Sequence, residues 1–219
     1  MNYILQDIPN TGTDSSVIFN IVSNDKPLGN IRILLLRDAF PAGVENFYHI
    51  AKGNTYKIEE KGFGQSKFAK KTDRSYHDTK FFKLKHNQYI MGGDIYNNNG
   101  TGYGTIYDDK LISECFLGEY YYPFDTKYLV ALVPIKINGT NETFYDSTFI
   151  ITLDTPYNNE KLRFLDDGYI VIGTVVQGTD ILDKLNTMIT PFAGRKYPTI
   201  KINKSNAARG KYPHDKKNI

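Results

Sequence analysis

Short apolar runs bounded by turn residues recur along the chain. Residues 17–22 (VIFNIV) and 31–36 (IRILLL) flank Asp25, Lys26, Pro27, Leu28 and Gly29, a connection that predicts two strands joined as a hairpin. Residues 81–84, 89–91, 129–134, 148–153, 169–176 and 200–202 predict further strands, separated by polar or glycine-containing connections. The period changes at residues 41–53. There Val44, Phe47, Tyr48 and Ala51 recur at helical spacing, with Pro41 near the start and Gly53 at the stop. A second helix is predicted to start near Thr179 or Asp180 and to carry Ile181, Leu182, Leu185 and Met188 on one face.

Many strands with two separated helices predict a mainly β fold: a closed eight-stranded antiparallel barrel with two capping helices, since closure removes unpaired strand edges. Three segments read as loop elaborations. Residues 65–75 are basic and polar, residues 120–124 are the aromatic run YYYPF, and residues 135–146 are rich in Asn, Thr and Gly. Residues 1–16 and 204–219 read as an N-terminal extension and a mobile basic tail around a domain over 17–203.

A chain of 219 residues fits one such domain, and its 17 Tyr and 13 Phe favour strands, where flat rings pack on pleated surfaces. The formal net charge of +3 is far from the enrichment of a dedicated nucleic-acid binder, so nucleic acid is disfavoured as a partner. Lys67, Lys70, Lys71 and Arg74, with Lys211, Lys216 and Lys217, read as solvated loop residues. The single cysteine, Cys115, excludes an internal disulfide and reads as a structural thiol. No basic leader with an apolar run and no stretch of ~20 apolar residues occurs, which predicts a soluble intracellular protein without a membrane partner. His49, His77, His86 and His214 are too scattered to predict a metal site, and no cofactor is implied.

Segments in a particular order carry a resemblance: Pro27-Leu28-Gly29, Glu45-Asn46-Phe47, Gly62-Phe63-Gly64, Gly92-Gly93-Asp94, Gly100-Thr101-Gly102, Ser147 with Phe149, and the strand holding Gly173. Together they resemble the cyclophilin family of peptidylprolyl cis-trans isomerases from about Val17 to about Ile202. The resemblance implies rotation about the bond preceding proline, slow when uncatalysed and requiring no covalent chemistry. It also implies an apolar pocket for the proline ring and an arginine that stabilises the twisted amide.

Carried over from the Gly92-Gly93-Asp94 anchor, the catalytic arginine position holds Lys83, and the pocket phenylalanine and methionine positions hold Gln88 and Tyr89. Met91 stands for the backbone-binding glutamine, Val133 for an alanine and Ile150 for a second pocket phenylalanine. Phe164 stands for tryptophan and Tyr169 for histidine, while Leu165 retains the pocket leucine. Loss of the indole donor predicts weak or no cyclosporin binding.

Lys83 reads either as a solvated strand lysine or as a residual catalytic group, because an ammonium on a flexible stem does not replace a planar fork. The resemblance therefore implies a binder of proline-containing segments or protein surfaces with isomerase activity absent or strongly reduced. The alternative is an active isomerase of altered specificity using Lys83. The run Tyr120, Tyr121, Tyr122 and Phe124 is expected at the surface, as a contact for self-association.

Overall fold

The computed structural model describes residues 15–53, 55–61, 65–72, 74–107, 110–118, 120–191 and 196–209. A hairpin of β1 (Ser16–Ser23) and β2 (Lys26–Leu35) opens the fold. Its turn is Asn24 and Asp25, at φ 47° and 62°, the left-handed pair that a two-residue hairpin turn needs. The turn is therefore tighter than the one expected over residues 25–29, and Pro27 sits inside the strand beside a register shift at Ile21 and Val22.

Helix α1 (Pro41–Lys52) follows, with Pro41 in its first turn and Gly53 closing it in the left-handed region at φ 71°. Next come β3 (Thr55–Lys61), β4 (Gln65–Thr72), β5 (Thr79–Lys80), β6 (Lys83–Lys85), β7 (Tyr89–Gly92) and β8 (Ile112–Ser113). The chain continues through β9 (Leu129–Leu132), β10 (Ile135–Lys136), β11 (Thr143–Tyr145), β12 (Phe149–Thr152) and β13 (Ile170–Gln177) to α2 (Thr179–Met188) and β14 (Ile200–Ala208).

Nine strands form one antiparallel sheet in the order β5-β14-β1-β2-β13-β9-β12-β7-β6. The expected closed eight-stranded barrel is corrected to an open, curled half-barrel. The reason lies at Phe81 and Phe82. The Phe81 N–H still bonds to the Ile200 carbonyl in β14 at 3.0 Å, whereas Lys83 already pairs with Met91 in β7. The chain changes partners across Phe82, so the two edge strands are neighbours in sequence without a ladder between them.

The elaborations are also more regular than expected. Residues 65–72 form β4, paired with β3, and the 135–146 segment supplies β10 and β11, which join β8 in a three-stranded sheet. Residues 204–208 extend β14 along β1 instead of starting a tail. Arg209 then donates to both Glu45 carboxylate oxygens at 2.8 and 2.6 Å, tying the strand's end to α1. Gly62-Phe63-Gly64, His214 and the lysines at 211, 216 and 217 lie outside the described residues. Cys115 is free and exposed.

Alternation along the strands creates two apolar layers. Val17, Phe19, Ile21, Ile31, Ile33, Ile90, Val130, Leu132, Phe149, Ile151 and Ile172 face the inside of the curl, where they meet Val44, Phe47 and Ile50 of α1 and Ile181, Leu182 and Leu185 of α2. Rings of Phe19, Phe47, Tyr76 and Phe149 meet there at 5.2–5.9 Å, and each such pair contributes about 0.5–1.5 kcal/mol beyond its burial. The alternate positions, Tyr89, Met91, Leu129, Ala131, Ile150 and Val171, form a second layer on the outer face.

Candidate functional site

Strand register builds the outer layer into a row. Lys83 pairs with Met91, Met91 with Ile150, Ile150 with Ala131, and Ala131 with Val171, across β6, β7, β12, β9 and β13. Residues directly opposite in a sheet point to the same face, so these side chains stand side by side about 4.8 Å apart. Tyr89, two residues before Met91, shares that face. A short 3-10 segment, Glu160–Asp166, lies over it and buries Leu162 and Leu165.

The face is closely filled. Ile150 and Leu165 are 0% exposed, Tyr89 5% and Met91 7%, with Val133, Phe164 and Tyr169 half-buried at the margin. The Tyr89 and Phe164 rings meet edge-on at 5.7 Å, and Phe164 meets Tyr169 at 5.3 Å. Burial, with Tyr89 beside it, pushes the Tyr169 hydroxyl up to about 12, so it stays protonated and a donor at neutral pH. Lys83 is exposed at the other end, its ammonium 5.6 Å from the Tyr89 ring centre.

The structure thus brings Lys83, Tyr89, Met91, Val133, Ile150, Phe164, Leu165 and Tyr169 to one face. Gln88 departs from the group. It precedes Tyr89 on the alternating strand and lines a separate cleft, while its carbonyl accepts from the Leu153 N–H at 2.8 Å. The aromatic run divides as well. Tyr120 and Tyr121 are exposed, at 50% and 71%, but Phe124 is 5% exposed within the outer layer and Tyr122 packs against it. The expectation that all four lie at the surface is corrected, because the apolar face of β9 and β12 needs a cover and Phe124 supplies part of it.

Beside this face stands a polar scaffold that sequence reading largely missed. The Asp94 carboxylate accepts backbone N–H groups of Tyr96 and Asn97 on Oδ1, at 3.1 and 2.7 Å. Its Oδ2 accepts those of Asn99, Gly100 and Thr101, at 2.9, 2.7 and 3.1 Å. Burial pushes this carboxyl up, but the N–H groups of Asn97, Asn99, Gly102 and Tyr96 outweigh it and hold the group well below the ordinary range. The glycine-threonine loop is therefore wound around a carboxylate.

Gly93, at φ 99°, packs so closely on the Ser147 carbonyl that a side chain there has no room. Ser147 in turn donates to the Gly93 carbonyl at 2.7 Å, and Asn46 of α1 bridges the Ile106 N–H and the Asp146 carbonyl. The buried Tyr76 hydroxyl donates to the Ser147 carbonyl at 2.9 Å. In the sequence Asn46, Gly92-Gly93-Asp94 and Ser147 stood out only as ordered motifs, without the hydrogen bonds that join them.

A model of the cyclophilin type peptidyl-prolyl cis-trans isomerase family matches residues 18–207. The chain belongs to the cyclophilin family. This cyclophilin is 47% identical over 207 residues to a structural PPIase-like protein of Acanthamoeba polyphaga mimivirus, covering 94% of this chain and 88% of that one. The crystal structure of the mimivirus cyclophilin superposes with a TM-score of 0.75 at 44% identity, over 95% of this chain and 96% of that chain. The NK-tumor recognition protein of Homo sapiens is 27% identical over 184 residues, 84% of this chain but 11% of that much longer protein.

Within this cyclophilin, Arg74 of the basic elaboration is engaged, donating to the Thr105 carbonyl at 2.9 Å and lying 5.3 Å from the Tyr96 ring centre. Among the described residues no group of three or more His, Cys, Asp or Glu is placed to hold a metal ion. No described helix is long and apolar enough to cross a membrane.

Proposed function

We propose that this cyclophilin is a binding protein for proline-containing segments or other protein surfaces, with isomerase activity absent or strongly reduced. Twisting a prolyl amide removes its resonance against a barrier of ~20 kcal/mol. Catalysis needs groups that bind the twisted amide better than the planar one. In this chain Lys83, an exposed ammonium leaning on Tyr89, stands where the family places a planar guanidinium. The position of the backbone-binding glutamine is Met91, which donates nothing from its side chain.

One observation carries the reading. Ile150, Leu165, Tyr89 and Met91 fill the face themselves, at 0–7% exposure, which leaves an aromatic and aliphatic surface where a proline ring would otherwise seat. Exposed Tyr120 and Tyr121 beside this layer support contact with another protein surface, including a second copy of the chain. The viral relative supports a viral origin for this cyclophilin.

The test is exchange NMR on an alanyl-prolyl peptide with the intact chain, which needs no coupled protease. We expect no exchange above the uncatalysed rate, with chemical-shift changes at Tyr89, Met91 and Tyr169 from binding alone. Turnover comparable with an ordinary cyclophilin overturns the reading. The second reading, an active isomerase of altered specificity, draws on Lys83 retaining its positive charge at the family position. K83R discriminates: large recovered activity means the remaining face was competent.

A further inference from the structure

Gln88 does not join the filled face, and the cleft it lines instead has a distinct chemistry. Its walls include Lys85, His86, Asn87, Gln88, Asn159 and Lys161, around a volume of about 470 Å³. The lining includes two lysines and a histidine and no carboxylate. Among the described residues neither Lys85 nor Lys161 takes part in an ion pair, and the adjacent Glu160 is engaged by Arg163 at 3.0 Å.

The cleft floor is fixed. Asn87 is clamped by three hydrogen bonds from two residues: its N–H donates to Asn186 Oδ1 at 2.8 Å, its Oδ1 accepts from Asn186 at 2.6 Å, and its carbonyl accepts from Asn159 at 2.6 Å. His86 Nδ1 lies 2.9 Å from the Asn186 carbonyl. The backbone at residues 86–88 is thus held against α2 and the 159–161 segment, and Lys85 and Lys161 line the recess beside it.

The recess adjoins the proposed binding face. Lys85 and Lys83 are alternate residues of β6, about 7 Å apart along the strand, and Lys85 pairs with Tyr89. A segment lying on the Tyr89–Met91 face would carry a neighbouring residue into the recess. We infer that the recess is an anion subsite: it takes a carboxylate or phosphate side chain of the bound segment, placed one or two residues from the part that covers Tyr89. This inference rests on the segment-binding reading above and names the chemistry of its partner.

The test uses the whole chain and ¹⁵N-resolved NMR at low ionic strength. The probes are N-acetylglutamate amide, inorganic phosphate, and two proline-containing heptapeptides that differ only in Glu or Gln flanking the proline. We expect both small anions to shift the amides of Lys85, His86, Gln88 and Lys161. Two surface charges of this kind should make the Glu peptide bind about three- to tenfold more tightly than the Gln peptide, with the preference fading as salt rises. Doubly substituted K85Q/K161Q should lose the preference, while K204Q, on β14, keeps it.

A phosphoserine version of the peptide separates the two anion sources: tighter binding than Glu assigns the subsite to phosphate, weaker binding to carboxylate. Equal binding of the Glu and Gln peptides overturns the anion subsite and leaves segment binding intact. If neither peptide binds while N-acetylglutamate amide still marks the recess, the segment-binding reading falls and the anion preference stands. Silence from every probe overturns both.

Discussion

The Asp94 loop and the Lys83 face are neighbours that solve opposite problems. Around Asp94, five backbone N–H groups converge on one carboxylate, and Ser147, Asn46 and Tyr76 satisfy the polar groups buried behind it. Around Lys83 the contacts are apolar and aromatic, made by Tyr89, Met91, Ile150, Phe164 and Leu165. The first arrangement is unforgiving, because removing one member strands several buried or partly buried donors. The second tolerates exchange, since apolar groups of suitable volume replace one another at modest cost. That difference explains how the chain can keep cyclophilin geometry while the apolar face varies in composition.

The largest expected effect therefore lies in the loop. D94A should destabilise the chain by about 4 kcal/mol in chemical denaturation, since charge-assisted bonds contribute about 1.5–3 kcal/mol each but water recovers part of the loss at the exposed loop. A loss below about 1 kcal/mol would erase the contrast. The pH dependence sharpens it. Asp94 is lowered on folding, so its stabilisation is fully present above the unfolded value near 3.9 and is lost as pH falls toward the folded one.

Asp146, raised on folding mainly by burial and further by Asp94, has the opposite sign. It costs stability above its raised value, and that cost is relieved on acidification toward 3.9. D94N should flatten the acid limb below about pH 4, and D146N the limb above it, in denaturation curves measured across pH.

Next in size is the division within the aromatic run. F124A should cost about 3 kcal/mol, the usual range for a buried phenylalanine, whereas Y121S should stay within about 0.5 kcal/mol. Comparable values for the two would return the whole run to the surface. The run also shows what pattern reading reaches. Residues 120–124 are nearly uniform in sequence, and only the bare outer face of β9 and β12 selects Phe124 for burial.

Helix α1 was legible because Pro41, Gly53 and the helical spacing of Val44, Phe47, Tyr48 and Ala51 agree. Strand β14 was not legible beyond Ile202. Residues 203–208 alternate between half-buried and exposed, and backbone pairing with β1 holds them, which side-chain periodicity does not register. Family membership was legible through ordered glycine motifs. The recess at Gln88 was not, because residues 84–88, 159, 161, 191 and 197 converge only in the fold.

The smallest effect is expected at Lys83, the residue with the most conspicuous family position. Its ammonium is exposed and lies 5.6 Å from the centre of one ring, a contribution of about 0.5–1 kcal/mol at a surface site and partly regained by hydration when the side chain is removed. K83A should therefore change unfolding free energy by no more than about 0.5 kcal/mol. It should leave exchange NMR rates at the uncatalysed level, because nothing that twists an amide is lost with it. Denaturation and exchange on the same sample check both halves. A loss near that of D94A would make Lys83 part of the scaffold, and a fall in a measurable isomerisation rate would make it the catalytic group.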